Sequence, residues 1–287
     1  MKDQLGFIHK TAEPQIMSRI TDGVPWLFFP ALEQVPDLKH GFSTRLGGCS
    51  EGYFSSMNLS FTRGDEDACV RENYRRMGRA IGFQPEDLVL TWQTHTNHIR
   101  VVTSEDRGKG YSRERDYRDV DGLVTDVPGL VLAAFSADCV PILLADPVRH
   151  ACGAVHSGWK GTVSDAVGEA VRAMQNMYHS DPGDILAAIG PSICQDCYEV
   201  SEDVIEKFRE RYPSELHESL FYRKENGKYQ LSLWEACRQN LLMAGLLPEH
   251  VHVTDVCTRC NPDKLFSHRA QGERRGIMAA FISFDAS

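Results

Sequence analysis

The sequence predicts an α+β fold in one domain, with sheets covered by helices rather than one doubly wound sheet. Three observations predict it. Short apolar, strand-like runs crowd together between Val89 and His156. Amphipathic helices with recognisable start and stop signals lie before and after that stretch. No linker divides the chain, and no internal repeat is found.

The elements follow in chain order. Asp67–Ile81 reads as a helix with Val70, Tyr74, Met77 and Ile81 on one face, stopped by Gly82. Val89–Trp92 and Ile99–Thr103 read as strands around a QTHTNH turn. Glu105–Asp119 mixes basic and acidic side chains, which predicts a solvated, mobile loop, with a lid as the alternative. Val131–Phe135, Ile142–Ala145 and Ala151–His156 are apolar runs bounded by Pro, Asp and Gly, hence strands. Val163, Ala166, Val167, Ala170, Val171 and Met174 follow helical spacing, and Thr162 with Asp165 forms a capping box for that helix. Ile185–Ile189 is a further strand. Ser201 opens a helix carrying Val204, Ile205, Phe208 and Tyr212. Ser232 with Glu235 starts another, which Gly245 stops. His250–Asp255 and Ile277–Ser283 are the last strands.

Composition narrows the function. The chain has 287 residues and a formal net charge of −9. An acidic surface disfavours a nucleic-acid backbone as partner, because such binders need a basic face. A small anion is still compatible, since one local cluster of donors can hold it. No stretch approaches the ~18 apolar residues of a membrane span, and the N-terminal segment lacks a secretory pattern. A cytoplasmic location, no membrane partner, and a monomer or weak homodimer are expected. Nine cysteines are an odd count, which favours thiols, metal ligands or a nucleophile over a disulfide framework.

Three segments place a metal-competent side chain at a strand end beside small or turn residues: QTHTNH (His95), SADCVP (Cys139) and AVHSGWKG (His156). Two imidazoles and a thiolate are a good zinc set, and three protein ligands leave a fourth position open, as in catalytic zinc sites. The ligands are far apart in sequence, so no local spacing certifies them. Cys139 and His156 also suit a metal-free thiolate–imidazole dyad, which would make the chain a cysteine hydrolase. Behind His156 the Ser-Gly-Trp-Lys-Gly run, with Lys160, leads into a helix N-terminus. That suits either an anion site or a tight strand-to-helix turn. The Ser43-Thr44-Arg45-Leu46-Gly47-Gly48 loop offers hydroxyls and a guanidinium to a phosphate, and a hairpin turn has the same composition. Cys194-x-x-Cys197 and Cys257-x-x-Cys260 both have zinc-ligand spacing, with buried thiols as the alternative.

Taken together, the strings HGFSTRLGG, MNLS, QTH, DGLVTD, SADCVPILLAD, AVHSGWKG, AIGPSIC and LFSHR resemble the YfiH-like family, long labelled multicopper polyphenol oxidases or laccase-domain proteins. The resemblance spans about His40 to Ile282. It implies a four-layer α/β/β/α sandwich and a zinc held by His95, Cys139 and His156. It also implies purine nucleoside chemistry: phosphorolysis of adenosine, inosine, guanosine and methylthioadenosine, and deamination of adenosine. Purine nucleosides and phosphate are then the partners. Ser43 and Arg45 in the STR-x-GG string, Lys160 and Arg269 are the expected substrate or phosphate contacts. Two departures stand out. The family often has Arg where this chain has Lys160, and paired Arg where it has Arg269-Ala270. Deamination needs a group to shuttle a proton to the leaving amine. The H-x-E string of zinc base deaminases is absent. Asp138 is the nearest carboxylate by sequence, either as that group or as a structural acceptor. The old copper label is the weaker alternative, because only His250-Val251-His252 has the spacing of a multicopper centre.

Overall fold

The computed structural model describes residues 5–285. The chain opens with β1 (Met17–Thr21), β2 (Val24–Phe28), α1 (Pro30–Glu33) and β3 (Leu38–Ser43), followed by the long helix α2 (Asp67–Ile81). Then come β4 (Leu88–Leu90), β5 (Ile99–Val101), β6 (Gly122–Thr125), β7 (Val131–Ser136), β8 (Val140–Asp146) and β9 (Ala151–Ser157). Helices α3 (Trp159–Val163) and α4 (Ala166–Tyr178) lead to β10 (Leu186–Ile189). The remainder is β11 (Glu199–Val200), α5 (Glu202–Arg211), α6 (His217–Leu220), β12 (Phe221–Arg223), β13 (Tyr229–Leu231), α7 (Leu233–Met243), β14 (Val251–Val253), α8 (His268–Gln271) and β15 (Met278–Phe284).

Two six-stranded sheets face each other, ordered β1-β2-β3-β15-β7-β4 and β14-β10-β8-β9-β6-β5. A small third sheet, β11-β13-β12, joins the helical side of the second. The central strands read as unbroken apolar runs because both of their faces are buried. In β8, Val140, Ile142 and Leu144 meet α4 and α7, while Leu143 and Ala145 enter the core between the sheets. In β15, Ala279 and Phe281 meet α2, while Ala280, Ile282 and Phe284 face the other sheet. Period-two alternation thus sends each strand's side chains into two different cores. The result is four layers: helix, sheet, sheet, helix. Among the described residues no helix is long and apolar enough to cross a membrane.

Three local features differ from the sequence reading. Thr162 lies inside α3 and donates its hydroxyl to Gly158 O at 2.9 Å. The longer helix starts afresh after Asp165, whose backbone is left-handed at φ 64°. A one-turn helix therefore intervenes where one capped helix is expected. The Glu105–Asp119 segment is an ordered plug rather than a mobile loop. Lys109 is buried between Asp106 (2.7 Å) and Asp116 (2.8 Å), and Tyr117 donates to Leu90 O at 2.6 Å. Asp106, Lys109 and Asp116 pair with one another inside the segment, while Glu105, Arg113, Glu114, Arg118 and Asp119 stay exposed to solvent as expected. The early strands β1–β3 and the third sheet are additional to the predicted strands.

Candidate metal centre and cavity

The QTHTNH turn is shaped by one carboxylate. Asp121, fully buried just before β6, accepts from the amides of Thr94, His95 and Thr96 at 3.0 Å each, and from the Thr96 hydroxyl at 2.9 Å. His95 adopts φ 67°, and the left-handed residue lets successive N–H groups converge on one anion. Oδ1 of the carboxylate, which takes the His95 amide, also accepts from His156 Nδ1 at 2.8 Å, and this leaves Nε2 as that ring's ligand atom. Burial opposes the charge on Asp121, but His156 and the amides outweigh it and hold the carboxyl at about 2.

His156 comes from β9, Cys139 from the turn before β8, and His95 from the turn before β5. The ligand atoms of the three lie within 4.8 Å of one another, with Cys139 Sγ 3.9 Å from His95 Nε2. The two imidazole rings meet edge-on at 5.0 Å. Gly158 makes the approach possible: a Cβ there would stand 2.8 Å from His95 Cδ2 and 3.1 Å from Cys139 Sγ. Burial disfavours the Cys139 thiolate, yet the charge and hydrogen bonds of His156, with His95, pull the thiol down to about 6. Burial likewise opposes the His156 imidazolium, but Cys139 and Asp121 raise it to about 9. A thiolate and two imidazoles on a common centre, one of them oriented by a carboxylate, fit a tetrahedral ion with one position free.

That cluster forms one wall of a cavity of about 420 Å³. Trp92, Phe61, Phe135 and Ile277 give it apolar faces. Arg63, Arg115 and Arg275 give it positive charge. Arg115, from the ordered plug, stacks on Trp92 at 4.5 Å. Arg275 is 6 % exposed, and its Nε and Nη1 meet no acceptor among the described residues. A buried guanidinium with idle donors is costly unless an anion arrives to satisfy it.

The expected anion contacts lie elsewhere. Arg45 spends its guanidinium on Ser55 O (3.0 and 2.8 Å) and Pro262 O (2.7 Å), and stacks on Phe266. It pins its Gly-rich loop and does not line the cavity. The Ser43 hydroxyl accepts from Ala279 N at 3.0 Å inside the sheet. Lys160 is exposed on α3 beside Trp159. Arg269 lies over Tyr198 and donates to Glu199 O at 3.1 Å. Asp138 has the structural position: its oxygens accept from Thr258 Oγ1 and Arg269 N, both at 2.6 Å. It braces the loop before Cys139, and its side chain is not among those that line the cavity. His250 and His252 join neither of the two metal-competent groups among the described residues, so a laccase-type centre is not assembled. Sequence reading missed Asp121 and Arg275. The signals were the Asp opening DGLVTD and the second arginine of ERRG, which precedes an apolar strand.

Fold and site together define an α/β/β/α protein with a His–Cys–His cluster at the wall of a cationic cavity. Residues 39–285 match the family described as multi-copper polyphenol oxidoreductase laccase, and the chain belongs to that family. The purine nucleoside phosphorylase of Bacteroides thetaiotaomicron is 34% identical over 93% of this chain and 98% of its own. Purine nucleoside phosphorylase YlmD of Geobacillus stearothermophilus is 39% identical over 84% of this chain and 88% of its own. The crystal structure of YlmD from that organism superposes with a TM-score of 0.86 at 35% identity, covering 96% of this chain and all of that one. Adenosine deaminase RL5, from an unknown prokaryote, is 32% identical over 82% of this chain and 90% of its own.

Proposed function

We propose that this chain is a zinc-dependent, cytoplasmic purine nucleoside phosphorylase that also deaminates adenosine in the same cavity. Inosine, adenosine, guanosine and methylthioadenosine are its substrate class. The observation that carries the reading is the pairing, across one cavity, of the His95–Cys139–His156 cluster with a buried arginine whose donors are idle. The names of the relatives support the same chemistry.

In phosphorolysis a phosphate oxygen forms a bond to the ribose anomeric carbon while the bond to the purine nitrogen breaks. The electron pair leaves with the base, which must gain a proton. Arg275 supplies charge-assisted donors to phosphate, and Arg63 and Arg115 add positive potential. Trp92 and Phe135 offer flat apolar surface to the purine. His95, Cys139 and His156 would hold the zinc ion, which would supply Lewis acidity when bound. Asp121 fixes the tautomer and orientation of His156 and the shape of the turn that carries His95. Deamination places water and C6 of adenine in the same space, with ammonia as the leaving group. Inosine and phosphate with wild-type protein are expected to give hypoxanthine and ribose 1-phosphate, with about one zinc lost together with turnover in Cys139→Ala. Wild-type protein inactive on all four nucleosides, with and without phosphate, would defeat the proposal.

A second reading rests on geometry: the Cys139 sulfur and the His156 imidazole lie within 4.8 Å of each other, close enough for a thiolate–imidazolium pair, which lowers the thiol toward about 6 and raises the imidazole toward about 9. Below the lower value the thiol is protonated; above the higher one the imidazole is neutral. Chelated protein that stays active, loses activity on alkylation of Cys139, and does so with a midpoint near pH 6, would establish a cysteine hydrolase instead.

A further inference from the structure

Four cysteines that the cavity does not use converge behind the Asp138–Cys139 turn. Cys194 and Cys197 flank a single 3-10 turn, and Cys257 and Cys260 flank the turn that follows the β-bridge between His9 and Val256. The pairs are 63 residues apart in sequence, yet Cys194 N–H donates to Cys257 Sγ at 3.2 Å and the sulfurs of Cys197 and Cys260 are 3.6 Å apart. All four sulfurs lie within 4.8 Å of one another, and all four are free thiols.

Spacing decides among the ways to use four sulfurs. A disulfide needs about 2.05 Å and would consume them two at a time. An iron–sulfur cluster mounts its cysteines on separate iron atoms and spreads them more widely. A single tetrahedral ion with bonds of about 2.3 Å puts its sulfurs about 3.8 Å apart. The observed separations suit the last. We infer that Cys194, Cys197, Cys257 and Cys260 hold a second, structural zinc ion, independent of the His95–Cys139–His156 centre.

The surroundings suit such an ion. A zinc tetrathiolate carries two negative charges, and Arg259 Nη1 donates to Cys197 Sγ at 3.5 Å. Lys10, paired with Asp196 at 3.0 Å, adds its charge beside Cys194. Cys194 and Cys257 are buried with Ile193 against Tyr198 and Trp234, while Cys197 and Cys260 are partly exposed and give an ion its way in. The site also has something to hold. Thr258, next to Cys257, donates its amide to Ser192 O (3.1 Å) and its hydroxyl to Asp138 (2.6 Å), and Ile193 N–H donates to Asp138 O at 3.0 Å. One ion would lock the 192–198 and 255–261 segments together and fix the turn that presents Cys139.

The test uses the full chain carrying Cys139→Ala, in which the cavity centre is disabled. Elemental analysis is expected to give one zinc per chain. Cobalt substituted into that variant is expected to show the intense visible bands of a tetrathiolate site. Thiol titration after unfolding with chelator is expected to find every remaining cysteine reduced. Adding Cys260→Ser should abolish the cobalt bands and lower the melting temperature. A Cys139→Ala protein without zinc, thiols missing in pairs, or iron in place of zinc would each overturn the inference. Loss of all nucleoside activity in wild type, with zinc still present in Cys139→Ala, would defeat the proposed function and leave this site standing.

Discussion

Two groups of soft ligands meet at neighbouring residues, and they are built by opposite rules. Asp138 is tied into the four-cysteine turns, and Cys139 belongs to the His95–His156 cluster. The four cysteines come as two C-x-x-C turns that meet face to face, with Cys194 and Cys257 buried among apolar side chains and Cys197 and Cys260 partly exposed. The cluster at the cavity draws single ligands from three separate strand ends, is held by a buried carboxylate, and opens on a cavity. A structural site can be local because it needs only to bind. A reactive site must leave space for a substrate, so its ligands come from the edges of that space.

The sharpest break between the two follows from substituting one sulfur in each. Cys139→Ala is expected to lower kcat/KM for phosphorolysis at least about 10³-fold with little change in melting temperature. Cys260→Ser is expected to do the reverse, destabilising the fold while the cavity centre keeps its metal. Activity assays, calorimetry and metal analysis on the two variants decide it, and equal loss of activity with equal stability would erase the distinction.

The cationic wall of the cavity gives the next effect. A charged hydrogen bond contributes about 1.5–3 kcal/mol, so Arg275→Ala should raise KM for phosphate about 10- to 100-fold. KM for the nucleoside should stay near its wild-type value, and Arg275→Lys should recover part of the loss. A change in nucleoside KM alone would place Arg275 at the base instead. Asp121→Asn sharpens the comparison from the other direction. The asparagine amide cannot accept from His156 and the three turn amides as the carboxylate does. Zinc affinity at the cavity should fall about 10- to 100-fold in competition with a chelator, while the four-cysteine site is unaffected.

How far the sequence foretold this follows the same division. Helix α2 was readable to the residue, because Val70, Tyr74 and Met77 repeat at helical spacing and Gly82 closes it at φ 98°. The central strands were readable as apolar runs. β2 was not, since VPWLF is short and buried throughout, without alternation to mark it. The C-x-x-C pairs announced themselves by spacing, but nothing in sequence says that they meet. His95, Cys139 and His156 have no shared spacing; their placement at strand ends suggests a zinc set, and the family resemblance strengthens it. Asp121 escaped because its role exists only once the QTHTNH turn folds onto it. Arg275 escaped because the family pattern puts a second arginine directly after Arg269, where this chain has Ala270. The guanidinium that lines the cavity comes from the other end of that loop, just before β15.

Arg45 offers the smallest effect and the cleanest separation of the two roles an arginine can play. The sequence places it in a Gly-rich loop that looks made for phosphate. The structure turns all of its bonded donors toward the carbonyls of Ser55 and Pro262. These bonds join the loop to the nearby Ser55 and to the sequence-distant Pro262, and stacking on Phe266 adds packing. Removing the side chain leaves the exposed Ser55 carbonyl to water and strands only the partly buried Pro262 carbonyl, a cost at the low end of about 1–3 kcal/mol. In a chain of this size that corresponds to a fall of a few degrees in melting temperature. Arg45→Ala is therefore expected to lower stability and leave KM for phosphate within about twofold of wild type, as a residue outside the cavity should. A tenfold rise in that KM at unchanged melting temperature would return Arg45 to the anion site and weaken the case for Arg275.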